Sequence, residues 1–213
     1  MTTEQLFQRA PLSEAVTALR RDLLSADGPQ ISTMRNYRFA ILPYDPEDEF
    51  LLRQKMLTLT GELKAAGWSV LSISLHQLLI DRMRVQGAEA LAARISREKR
   101  LYSNNPDRAL NDLREFVTGQ IEGPNGIAAD VCKRINDFIA ANPGEIDRTL
   151  ILIGRAGALF PFLRSSALLK HIDGKTQNAP VVLLYPGKRR DSTALSFMGE
   201  LEPDRDYRPR IYP

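Results

Sequence analysis

The chain has 213 residues, 43% hydrophobic and 26% charged, an ordinary globular balance for a chain able to bury about 70% of its unfolded surface. Its 29 basic and 26 acidic residues leave a net charge of only +3, short of the basic excess expected of a dedicated nucleic-acid binder. No run approaches the ~20 apolar residues of a membrane helix, and MTTEQLFQRA lacks the apolar core of a targeting signal. The single cysteine, Cys132, excludes an internal disulfide and suits a reducing cytoplasm.

Leu12, Val16, Leu19 and Leu23 recur at helical spacing and predict a helix over 11–25, broken by Asp27-Gly28-Pro29. YRFAIL (37–42) reads as a first strand. In PYDPEDEF, Asp45 suits an N-cap, Pro46 the first helical position, and Glu47, Asp48 and Glu49 an acidic first turn. Leu52, Met56, Leu59, Leu63 and Ala66 form the apolar stripe of the helix, with Gly67 as its cap. WSVLSISL (68–75) is a second strand, with Trp68, Val70 and Ser72 on one face. A helix from His76, bearing Leu79 and Met83, is expected to run on into RISREKR (94–100).

Asn104-Asn105-Pro106-Asp107 interrupts, and a helix with Leu110, Leu113, Phe116 and Val117 follows. Ile127, Val131, Ile135, Phe138 and Ile139 mark another, between Gly123-Pro124-Asn125-Gly126 and Asn142-Pro143-Gly144. TLILI (149–153) and VVLLY (181–185) are continuous apolar runs, as strands buried on both faces require. Between them GRAGALF forms a loop and a helix begins near Pro161. VVLLY is expected to end at Tyr185-Pro186-Gly187, and RPRIYP to add an edge strand after a polar tail. The reading is a single α/β domain over 1–213: a mainly parallel central sheet covered by helices, with a helical insertion of about 80–145 between strands two and three.

In such sheets ligands gather beyond the carboxyl ends of the strands. PYDPEDE, SLHQ, GRAGALFPFLR and YPGKRR fall there. Neither GxxxxGK[ST] nor GxGxxG occurs, and carboxylates already occupy the helix start after the first strand, where they would repel a triphosphate. One acidic cluster at one strand end falls short of a metal site, and no GxSxG elbow or zinc spacing is present. His171 fits a helix C-terminus, Cys132 flanks an apolar stripe, and His76 lies at a helix start. The sequence therefore predicts no enzyme chemistry and no cofactor.

Arg155, directly after a buried strand, is expected to pair with a carboxylate of Asp45, Glu47 or Asp48 across the sheet edge. With Arg164 and Tyr185 these residues make a candidate partner-binding edge. Arg94, Arg97, Lys99 and Arg100, and beyond the last strand Lys188, Arg189 and Arg190, are candidate nucleic-acid contacts. A solvated helix face explains the first group equally well.

Four blocks taken in order, NYRFAILPYDPEDEF, LIGRAGALFPFLRSSALLKHI, PVVLLYPG and YRPRIY, resemble the BrxB family of BREX phage-defence systems. The blocks span nearly the whole chain, whereas about 80–145 is similar only in length and helical character. The resemblance implies a cytoplasmic, non-catalytic adaptor that supports host DNA methylation and phage restriction, with no membrane partner. The alkaline-phosphatase-like PglZ is the favoured contact, and the BrxC ATPase and PglX methyltransferase are further ones; DNA would be contacted indirectly. It carries over no catalytic residues. A nucleic-acid-binding module and a degenerate nucleotide-binding domain are the alternative readings.

Overall fold

A computed structural model describes residues 10–26, 28–31, 38–123, 125–143, 146–189, 194–200 and 209–213. In chain order, α1 (Ala10–Leu23) precedes β1 (Phe39–Tyr44), a 3-10 turn (Pro46–Asp48) and α2 (Glu49–Ala65). Then come β2 (Ser69–Ser74) and four helices: α3 (Leu75–Val85), α4 (Ala88–Asn104), α5 (Pro106–Ile121) and α6 (Ile127–Ala141). β3 (Thr149–Gly154), a 3-10 turn (Ala156–Leu159) and α7 (Ser165–Ile172) lead to β4 (Val181–Arg189), β5 (Leu195–Phe197) and β6 (Arg210–Ile211).

The strands order as β2-β3-β4-β1-β6, every neighbour parallel, while β5 pairs antiparallel with the far end of β4. From β1 the chain crosses to the far edge at β2 and then returns through β3 to β4. Parallel crossovers are right-handed, so reversing direction sends the helices to the opposite face. Accordingly α1 and α2 cover one face and α3, α5, α6 and α7 the other.

The core follows the two-residue period of a strand. Ile41, Ile151, Ile153, Val181 and Leu183 pack into one layer. Ala40, Leu42, Leu150, Leu152 and Val182 pack into the other. β3 and β4 are central, so alternate residues on both sides must be apolar; this is why their sequences show no polar alternation. Ile151 and Val182 are both fully buried. Leu52, Met56, Leu59 and Leu63 seat α2 on the sheet, as their spacing predicts.

Several boundaries differ from the sequence reading. Tyr37 lies outside the described residues, and β1 continues through Pro43 to Tyr44. Leu75 opens α3, because the Ser74 hydroxyl accepts the Gln77 amide and caps the helix there. Ser72 is exposed because β2 is the sheet's edge. The helix from Leu75 does not run into the charged segment: Gly87, at φ 92°, separates α3 from α4. The expected helix at Pro161 begins at Ser165, after the 3-10 turn at Ala156–Leu159.

β4 does not stop at Tyr185-Pro186-Gly187. It continues to Arg189 and folds back with β5, so Leu195 and Phe197 enter the core from a tail read as polar. Gly187 makes this pairing possible. A Cβ there would sit 2.2 Å from the Ser196 carbonyl oxygen and 2.7 Å from the Tyr185 ring. The expected edge strand in RPRIYP is β6, paired with β1 through Ala40 and Ile41.

Candidate functional site

At the carboxyl edge of the sheet, β1 leads to one face and β3 to the other, the topology that opens a ligand crevice in this class of fold. Here the chain's own charges cross that edge. Asp45 caps the turn after β1, accepting the Glu47 amide at 3.3 Å, as its position after the strand predicts. Its carboxylate also holds Lys188 of β4 at 2.9 Å. The hydrogen bond from Lys188 keeps the Asp45 carboxyl below its ordinary range.

Arg155 follows β3 in the left-handed conformation, φ 62° and ψ 29°. For a residue with a Cβ this geometry costs roughly 1–2 kcal/mol. The Arg155 guanidinium meets Glu49 at 3.1 Å. The expectation named Asp45, Glu47 or Asp48 as the acceptor; the structure selects the next carboxylate, on the first turn of α2. β1 and β3 are not neighbours, so the pair reaches over the end of β4. Glu49 also accepts the Tyr44 hydroxyl. Burial, and then the hydrogen bond to Glu49, push that phenol well above its ordinary range. Glu49 thus ties Tyr44 of β1 to the loop after β3.

The structure separates other expected members. Tyr185 is fully buried, its ring edge-on to Phe197 at 5.4 Å and its hydroxyl donating to the Leu195 carbonyl at 3.3 Å. It is a core residue that anchors the β4–β5 hairpin, so its place in a partner-binding edge is withdrawn. Glu47 is exposed and Asp48 half-buried. Arg164 is exposed just before α7, beside an open recess of about 350 Å³ shared with Arg114 and Thr118 of α5 and with Glu122 just after it.

The basic candidates divide as well. Arg94 lies over the Phe116 ring at 4.4 Å and pairs with Asp112 at 2.8 Å, and Arg97 pairs with the same carboxylate at 2.6 Å. These two arginines fasten α4 to α5. Lys99 and Arg100 are exposed on α4, and Lys188 and Arg189 on β4; Arg190 lies outside the described residues. Sequence spacing could have found the first pair: leucine or arginine at 91, 94, 98 and 101 follows a heptad seam facing α5 with only Glu98 out of pattern.

His76 is exposed at the start of α3. Cys132 and His171 line another open recess, of about 470 Å³, with Lys133, Asp137 and Lys175. Burial raises the Cys132 thiol, the opposite of the shift that activates a nucleophile. Among the described residues no three His, Cys, Asp or Glu side chains converge as metal ligands, and no helix is long and apolar enough to cross a membrane.

A family model described as "BREX protein BrxB" matches residues 71–211. A BREX protein BrxB of Bacillus cereus (strain H3081.97) is 25% identical over 171 residues, covering 80% of this chain and 80% of that relative. No solved structure matches significantly. The family match takes in Arg155 and Lys188 but stops short of their partners Glu49 and Asp45.

Proposed function

The chain belongs to the BrxB family of BREX proteins, and from that premise we propose that it is a non-catalytic adaptor of a cytoplasmic phage-defence complex. One observation carries this reading. The edge where a parallel sheet ordinarily takes a small ligand is spanned by internal pairs, Arg155–Glu49 and Lys188–Asp45. A nucleotide entering there would have to displace both cations from their carboxylates. A protein partner could instead dock against the outside of this braced edge, with Arg155, its side chain 42% solvent-exposed, as the projection.

PglZ is the favoured partner, with BrxC and PglX next, and the adaptor's role is to support host methylation and phage restriction. Co-purification of the tagged chain with its genomic neighbours tests this. Wild type should retain a BREX partner, and Arg155→Ala should lose it to a greater extent than Arg155→Lys. Unchanged retention and full defence by Arg155→Ala would refute the role of this edge. Turnover of nucleotide or nucleic acid by the pure chain, abolished by Asp45→Ala, would refute the non-catalytic reading.

The nucleic-acid reading is weakened by the use of Arg94 and Arg97 on Asp112. It requires salt-dependent DNA binding by the isolated chain that falls on Lys99→Ala with Arg100→Ala.

A further inference from the structure

The recess beside α7 brings together two arginines that the fold leaves unpaired. Its walls are Arg114 and Thr118 of α5, Glu122 just after that helix, and Pro161, Phe162 and Arg164 of the segment leading into α7. Arg114, Thr118 and Glu122 are spaced four residues apart, so they follow one stripe of α5 over roughly 12 Å. The Thr118 carbonyl accepts the Glu122 amide at 2.8 Å, which continues the stripe through the last turn. Arg114 therefore stands at one end of the stripe, a hydroxyl at its middle and a carboxylate at the other end.

Among the described residues, the side chains of Arg114, Arg164 and Glu122 take part in no ion pair or hydrogen bond. By contrast Arg94, Arg97, Arg155 and Arg210 each face a carboxylate of the chain. The larger recess at Cys132 differs as well, because its Lys133 is already held by Asp137 at 2.6 Å. In the recess beside α7 two guanidiniums approach from separate elements, and neither is neutralised from within. Such a pair is matched to an anion from outside.

We propose that this recess binds a guanine nucleoside monophosphate. A phosphate monoester carries about two negative charges at pH 7 and three free oxygens, enough to engage both arginine forks and the Thr118 hydroxyl. A carboxylate has two oxygens, and one fork satisfies it. The half-buried ring of Phe162 supplies the apolar wall on which a base stacks. Glu122, at the other end of the stripe from Arg114, only accepts hydrogen bonds and so selects a base edge of donors. Guanine presents a ring N–H beside its amino group, whereas adenine sets a ring acceptor beside its own. A nucleic-acid strand fits less well: the recess of about 350 Å³ holds one small ligand, and Glu122 repels a second phosphate. The site shares no residue with the ion pairs that brace the sheet edge, and no bond is made or broken in it. It goes beyond the adaptor reading and does not depend on it.

Isothermal titration calorimetry on the full chain tests it, with guanosine monophosphate, adenosine monophosphate and inorganic phosphate as the ligands. The guanine nucleotide should bind most tightly and weaken as salt rises, because the arginines are solvent-exposed. Arg114→Ala and Arg164→Ala should each raise its dissociation constant at least about tenfold. Lys99→Ala with Arg100→Ala, equally basic and exposed but on α4, should leave it unchanged. Glu122→Gln should narrow the gap between the guanine and adenine nucleotides while binding persists. These sites are exposed, so the variants should unfold thermally as wild type does. Absence of guanosine monophosphate binding at low salt overturns the proposal, as does binding that neither arginine substitution weakens. Inorganic phosphate bound as tightly as the nucleotide also overturns it, since charge alone would then be recognised. None of these outcomes alters the co-purification that tests the adaptor role.

Discussion

β3 and α4 are held by different forces, although both are regular elements of similar sequence clarity. β3 has five consecutive buried residues between two parallel neighbours, and the side chains of Leu150 to Ile153 alternate between the two cores. α4 has 17 residues to the six of β3 and buries none. It is kept in place by Arg94 and Arg97 on one carboxylate, by the Phe116 ring, and by the Asn105 cap of the next helix, whose side chain accepts the Arg108 amide at 3.0 Å. Burial of an aliphatic side chain is worth roughly 1.5–3 kcal/mol, whereas ion pairs near the surface gain little, because solvent screens them and two long side chains lose freedom in forming them. The sheet should therefore carry the global stability, and the α4–α5 hairpin should open independently of it.

The sharpest break of this comparison is one substitution made in both regions. Ile151→Asp should cost more than about 4 kcal/mol or prevent folding, because it places an unpaired charge between two packed layers. Ile95→Asp should change stability by less than about 0.5 kcal/mol. Urea unfolding followed by circular dichroism reads both, and equal effects would abolish the distinction.

Glycine gives a second contrast, of opposite signs. Gly187→Ala forces a Cβ into the Ser196 carbonyl and should destabilise by roughly 1–3 kcal/mol, loosening β5 from β4. Gly119 of α5 has nothing within 4 Å of an added Cβ, so Gly119→Ala should stabilise by about 0.5–1 kcal/mol. Thermal unfolding of both variants decides the matter.

Acid sharpens it further. Arg97, with Arg94 behind it, holds the Asp112 carboxyl below its ordinary range. In the unfolded chain an aspartate titrates at about pH 3.9, so the folded form is favoured above that pH and the advantage is lost as pH falls through the lower, folded value. Hydrogen-exchange protection of α4 should decline below about pH 4 before that of β3 does. Asp112→Asn should have the weakened hairpin at neutral pH and no further change there on acidification. Simultaneous loss in both regions would mean that the hairpin is not a separate unit.

The smallest stability effect should come from Arg155→Ala. Its ion pair with Glu49 is partly exposed and contributes at most about 1 kcal/mol, and the vacated left-handed backbone geometry remains strained in alanine. A calorimetric shift larger than Gly187→Ala produces would make Arg155 a stability residue first and a docking residue second.

The fold was largely readable because its signals are local. The heptad-like stripe of α2 and the unbroken apolar runs of β3 and β4 required no partner to be recognised. Failures occur where a distant contact decides. Tyr185 was placed at the edge because Pro186 and Gly187 resemble a strand stop; in fact Gly187 lets a returning strand lie against it, and the tyrosine is sealed under Phe197. The break at Gly87 was legible in principle, since glycine at positive φ commonly ends helices. For the site, an arginine beside an acidic loop was foreseeable, and Glu49 as its acceptor was not.

By itself, then, the sequence determined the alternation of strands and helices, the two-faced burial of β3 and β4, and the acidic turn, capped by Asp45, that leads into α2. These depend on side-chain period and on hydrogen bonds within a few residues. Only the tertiary structure decided that β4 lies between β1 and β3, that Arg155 reaches over it to Glu49, and that Arg94 and Arg97 are spent on Asp112. Strand order and charge pairing are settled by which surfaces meet, and residues 106 apart in the chain, as Arg155 and Glu49 are, carry no local mark of that meeting.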